Sequence, residues 1–164
     1  MAGQIVNQAQ TATPGTPVTV LHVNTTSQAT TGTSEEVLAT YTLPANTLSA
    51  NGKAIRVTAW FVSTADAVSK TARIRFGGIG GTVVATNNSS AASATHMLTT
   101  LIVRSGAATQ ESVGSGLYNG TATNAIVTSP TQTLSGAIDI VATGTTPSGA
   151  GQMTFKGLLV EALN

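Results

Sequence analysis

The stretch Leu43–Gly78, LPANTLSANGKAIRVTAWFVSTADAVSKTARIRFGG, decides the fold. It reads as a loop, a long strand, a polar turn and a second long strand. Arg56, Thr58, Trp60 and Val62 alternate with Ile55, Val57, Ala59 and Phe61. Beyond the turn, Ala72, Ile74 and Phe76 alternate with Thr71, Arg73 and Arg75. Successive strand side chains point to opposite faces, so this period of two marks half-buried antiparallel strands.

Outward from that stretch the same grammar continues. Strands are expected at Val18–Val23, Glu36–Leu43, Ile55–Ser63, Thr71–Phe76, Thr82–Thr86, His96–Arg104, Ser112–Tyr118, Asn124–Thr128, Ala137–Ala142 and Met153–Leu163. Ser112–Tyr118 reads as weak because Gly114 and Gly116 interrupt it. Gln28–Ser34 and Asn87–Thr95 read as loops. Val37, Ala39, Tyr41 and Leu43 are expected on one face of their strand, and Met97, Thr99, Leu101 and Val103 on one face of theirs. Asn51-Gly52 and Asn119-Gly120 are tight-turn dipeptides, since both residue types tolerate positive φ. No window sustains helical apolar spacing over three turns. Short strands with frequent turn signals predict an all-β antiparallel sandwich, with a jelly roll as the expected arrangement. Residues 18–164 form that domain, preceded by an extended arm, residues 1–17, rich in Gln, Thr, Ala and Pro, with Ile5 and Val6 as its adjacent large aliphatics.

Composition narrows the function. The chain has 164 residues, of which only 8% are charged, against about a quarter in an ordinary domain. Seven basic residues nearly balance six acidic ones, for a formal charge of +1. Solubility then rests on Thr, Ser, Asn and Gln, and little repulsion keeps copies apart. Nucleic-acid binding is not expected, because displacing phosphate counterions takes a basic stripe. The absence of cysteine excludes disulfides and thiolate chemistry and fits assembly in a reducing cytosol. Apolar runs such as Leu158–Val160 are far shorter than a spanning helix requires, so no membrane partner is expected. MAGQIVNQAQTATPG lacks the basic and apolar regions of a secretory signal.

Candidate chemistry is thin. His22 and His96 have no ligand-type neighbour at i+2 or i+4 and read as structural, so neither a metal nor a cofactor is implied. Glu35, Glu36, Asp66, Glu111, Asp139 and Glu161 show no flagged acid pair of the kind glycoside hydrolysis needs. Gly77–Gly81 follows a strand but precedes another strand, so it reads as a turn and not as a phosphate loop. Arg56, Arg73 and Arg75 would share one outer face if their strands pair, and a partner with acidic patches would meet them there. The lone Trp60 is expected on the Arg56–Thr58–Val62 face, either in the core or at a subunit contact.

The segment LPANTLSANG, then IRVTAW, then a Lys-containing turn and a return strand ending in Phe-Gly, resembles a segment of tailed-bacteriophage virion structural proteins. It covers roughly a quarter of the chain, with a weaker echo at Met153–Leu163. The resemblance implies a non-enzymatic β-sandwich, a head decoration (cement) protein that forms a homotrimer, binds the major capsid protein and stabilises the head through multivalent contacts. It implies assembly in the bacterial host cytoplasm and residence on the virion head surface. Partner contacts are expected at Ile5 and Val6 in the arm and at Arg56 and Trp60. The alternative is a tail or fibre component, including a host-receptor-binding head.

Overall fold

A computed structural model describes residues 18–64, 68–90, 93–123 and 125–163. The arm residues Ile5 and Val6, and Asp66 in the polar turn, lie outside the described residues. Every regular element described is a β-strand: β1 (Thr19–Asn24), β2 (Gln28–Ala29), β3 (Glu36–Leu43), β4 (Ala54–Ser63), β5 (Lys70–Phe76), β6 (Thr82–Ser89), β7 (Ala94–Gly106), β8 (Thr109–Tyr118), β9 (Thr121–Ala122), β10 (Ile126–Thr128), β11 (Ile138–Thr145) and β12 (Met153–Ala162). Among the described residues no helix is long and apolar enough to cross a membrane.

The strands form two antiparallel sheets. The larger runs β1-β12-β4-β7-β8-β10, with β2 added to β12 and β9 to β8; the smaller runs β3-β11-β5-β6. The chain passes repeatedly from one sheet to the other, as in a jelly roll: β3 to β4, β4 to β5, β6 to β7 and β10 to β12 through β11. An all-β sandwich with two antiparallel layers is therefore what the alternating pattern produces.

The core lies between the sheets. Ile55, Val57, Ala59 and Phe61 of β4 point inward with Leu98 and Ile102 of β7 and Phe155, Leu158 and Val160 of β12. Ile74 and Phe76 of β5 and Ile140 of β11 face them from the smaller sheet. Phe61 and Phe155 meet edge to face, 5.8 Å between centroids. Each fully buried Ile, Leu or Phe contributes about 1.5–3 kcal/mol, so this layer dominates the driving force for the fold.

Several expectations need correction. β4 and β5 do not pair: β4 lies between β12 and β7, and β5 between β11 and β6. The polar turn between them carries the chain across the sandwich, so Arg56 sits on one outer surface and Arg73 and Arg75 on the other. In β3 the shared face breaks at a bulge, where the register with β11 shifts between Ala142 and Thr143. Leu38 turns into the core and Val37 outward. The small-residue loop is shorter than expected, because β6 continues to Ser89 and β7 starts at Ala94. Two residues of the first polar loop, Gln28 and Ala29, add to the edge of β12. Gly114 and Gly116 do not weaken β8, a ten-residue strand. They sit where β8 passes under β6, and a Cβ at Gly114 would overlap the carbonyl of Val84, whose carbon lies 2.9 Å from that point. Glycine is the only residue that lets the layers come so close.

Candidate interaction surface

The outer surface of the larger sheet is built by one continuous register. Paired residues across antiparallel strands share a face. Val20 pairs with Glu161, Glu161 with Arg56, Arg56 with Leu101, Leu101 with Val113 and Val113 with Val127. A second row runs Leu159, Thr58, Thr99, Ser115, and a third runs Gly157, Trp60, Met97, Leu117. Val127, Val113 and Met97 are 75%, 45% and 40% exposed, and Val20 and Val23 are exposed as well. An apolar surface of this breadth, spread over six strands, is unusual for an isolated chain.

Arg56 and Glu161 of this surface neutralise each other. Arg56 Nε donates to Glu161 Oε2 at 2.8 Å, and that hydrogen bond raises the guanidinium pKa further. The Thr58 and Thr99 hydroxyls lie 3.4 Å apart on neighbouring strands. Trp60 is half-buried on this same surface, as expected from its alternation, and so belongs to the outer layer and not to the core. Its ring covers Gly157 of β12: Cζ2, Cε2 and Cη2 all lie within 2.5 Å of where a Cβ would stand. Three ring atoms can be equidistant to that degree only if the benzo ring presents its face to the sheet. Trp60 is thus laid flat across β12, at the bulge where the register shifts between Phe155 and Gly157.

The smaller sheet has the opposite character. Arg75 Nε and Nη2 donate to the two Glu35 oxygens at 2.8 and 2.7 Å, Thr143 Oγ1 donates at 2.6 Å, and Arg73 Nη1 lies 3.3 Å away. The Arg75 fork holds the Glu35 carboxyl down to about 2. Asp139 points outward and accepts a hydrogen bond from Thr42 Oγ1 at 2.7 Å. Glu36 is bound by the Thr31 and Gly32 backbone amides; on the larger sheet, Glu111 of β8 accepts from Ser129 Oγ at 2.7 Å. All five described carboxylates thus have a structural partner.

Both histidines face inward. His22 stacks on Tyr41 of the opposite sheet at 4.7 Å. His96 Nε2 lies 3.2 Å from Ser63 Oγ, while burial and then the positive charge of Lys70 lower its pKa to about 4. Among the described residues no group of three His, Asp or Glu is placed to hold a metal ion. A hollow of about 260 Å³ between Thr86, Asn87, Asn88, Thr123 and Ile126 is below the usual size of a small-molecule site.

Of the residues singled out from sequence, Arg56 and Trp60 come together on the outer surface of the larger sheet. Ile5 and Val6 lie outside the described residues. Val20, Met97, Val113 and Val127 belong to the same surface and were not singled out. The alternation Glu111, Val113, Ser115, Leu117 carried the signal, but it emerges only when strand order places these residues beside Leu101 and Met97.

No protein-family model matches the chain, and no curated protein matches it. Among solved structures the chain is similar to a CBM2 module of the evolved Dit of Lactobacillus casei BL23 phage J-1, with 10% identity, 76% of this chain and 69% of that one covered, and a TM-score of 0.39. It is also similar to a chain of infectious bursal disease virus, Gx strain, with 15% identity, 99% and 37% covered, and a TM-score of 0.34. Lectin I-B4 from Griffonia simplicifolia, in its metal-free form, gives 9% identity, 95% and 96% covered, and a TM-score of 0.33. Likenesses at this level assign no function.

Proposed function

We propose that this chain is a non-enzymatic virion structural protein of a tailed bacteriophage, a head decoration protein that braces the coat through multivalent contacts. The observation that carries the reading is the outer surface of the larger sheet: broad, nearly neutral, apolar and hydroxyl-rich, it is built to be covered in an assembly. The resemblance of Leu43–Gly78 to phage virion proteins agrees with it. In this reading the arm, through Ile5 and Val6, reaches the major capsid protein, and many copies together resist internal pressure although each contact is modest. Cryo-electron microscopy of particles carrying the chain tests it. Density repeating on the icosahedral head lattice is the expected result. Absence from purified particles overturns the virion reading.

One observation favours a second reading, a tail or fibre component that touches the host surface. The flat indole of Trp60, with Thr58 and Thr99 nearby, offers the aromatic face and hydroxyls that meet the C–H face of a sugar. Density confined to the tail tip would select it.

A further inference from the structure

We propose that the outer surface of the larger sheet pairs with the same surface of a second copy of this chain, about a two-fold axis parallel to the strands and passing between β7 and β8. The outward residues of those two strands match row by row. Met97 pairs with Leu117, Thr99 with Ser115 and Leu101 with Val113. A two-fold rotation about a line between the strands exchanges the members of each pair. Met97 then meets Leu117 of the second copy, Thr99 meets Ser115, and Leu101 meets Val113. Apolar groups fall on apolar groups and hydroxyls on hydroxyls.

The flanking strands are exchanged as well. The rotation exchanges β4 with β10, so the Arg56 stem lies over Val127, the most exposed large apolar side chain. Its guanidinium keeps its bond to Glu161 at the rim, where an ion pair tolerates water. Glu111 falls opposite Val103 and retains Ser129. No like charges face each other. β7 and β8 overlap along their length, whereas β10 has only three residues and limits its overlap with β4 to those; at about 4.8 Å between strands this gives roughly 420 Å² per copy. The total of roughly 850 Å² is that of a weak, reversible pair. A surface that meets itself closes as a pair, so the product is a dimer, not the trimer that the phage resemblance implies. This pairing is a property of the chain in solution and stands whether or not the chain sits on a virion.

Sedimentation equilibrium of the full chain, carried up to about millimolar concentration, tests it. The expected mass is twice the 16.4 kDa of one chain. Val113→Asp places two carboxylates beside the axis and is expected to return the chain to a monomer, with circular dichroism unchanged. Val37→Asp, an exposed position on the other sheet, is expected to leave the dimer intact. If Val113→Asp fails to fold, Val127→Asp replaces it, since that side chain is largely in solvent already. A monomeric or trimeric wild-type chain overturns the proposal, as does a folded Val113→Asp or Val127→Asp variant that stays dimeric.

Discussion

The benzo ring of Trp60 lies flat on Gly157, filling the space that any side chain at that position would occupy. The two residues are register partners on β4 and β12, beside a bulge. Glycine at that position is therefore what lets an indole rest against the sheet. Gly157→Ala is expected to lift the ring into water and cost about 1–3 kcal/mol, the usual range for overpacking. Tryptophan fluorescence reads this directly, because Trp60 is the only tryptophan in the chain. Emission should shift to the red, with a lower unfolding midpoint. An unchanged spectrum would mean that the ring does not rest on Gly157.

Gly114 makes a harder demand than Gly157. Its would-be Cβ meets backbone, the Val84 carbonyl of the opposing sheet, and not the end of a flexible side chain. The two layers would have to separate, so Gly114→Ala is expected to destabilise by about 3 kcal/mol or more, among the largest single-site effects. Gly80→Ala is the matched control. It has open space around it, and its backbone is not in the left-handed region. Denaturant midpoints of the two variants should differ by most of the Gly114 effect.

These glycines also mark what the sequence made legible and what it hid. Alternation in β4 and β5 put Ile55 with Phe61, and Ile74 with Phe76, on one face of each strand, and those are the faces the structure buries. The Asn119-Gly120 turn was equally plain: both residues take positive φ, and Tyr118 pairs with Thr121 across it. Period cannot say which strands are neighbours, however, and the common face of Arg56, Arg73 and Arg75 depended on a pairing of β4 with β5 that the structure does not have. Nor can it tell a glycine that breaks a strand from one that lets two sheets touch. The outer surface of the larger sheet was only half visible for the same reason. Arg56 and Trp60 follow from one strand, whereas Val20, Val113 and Val127 join them only through a register spanning six strands.

Glu35 ties three strands of the smaller sheet together, reaching Arg73 and Arg75 on β5 and Thr143 on β11 from the start of β3. Its carboxyl is held at about 2, against an ordinary 4.5, chiefly by the Arg75 hydrogen bonds. A lowered acid pKa contributes stability that is complete above the ordinary value and is lost as pH falls from 4.5 toward 2. Because the site is partly open to solvent, the contribution is discounted to about 1–2 kcal/mol. Glu35→Gln should lower the melting temperature at neutral pH by about 2–4 °C per kcal/mol lost. It should also flatten the melting profile below pH 4.5. A variant that keeps the full wild-type acid slope would show that another carboxylate carries it.

His96 works in a higher window with the same sign, since its folded pKa is also lowered, although here the neutral form is the one the fold favours. Its ring is almost fully buried between the sheets, with Nε2 at Ser63 and no partner for Nδ1 among the described residues. Burial first, and the Lys70 charge second, lower its pKa from 6.5 to about 4. The folded chain holds the ring neutral where the unfolded chain binds a proton, so stability rises with pH between about 4 and 6.5. On acidification the loss begins near 6.5 and is complete below about 4, and it amounts to roughly 2–3 kcal/mol. Urea midpoints should therefore fall between pH 7 and pH 5, before Glu35 begins to titrate. His96→Gln removes the titrating ring but can still bond Ser63, and should make the midpoint nearly flat across that interval. Persistence of the slope in His96→Gln would assign it to another group and leave the buried imidazole a packing element only.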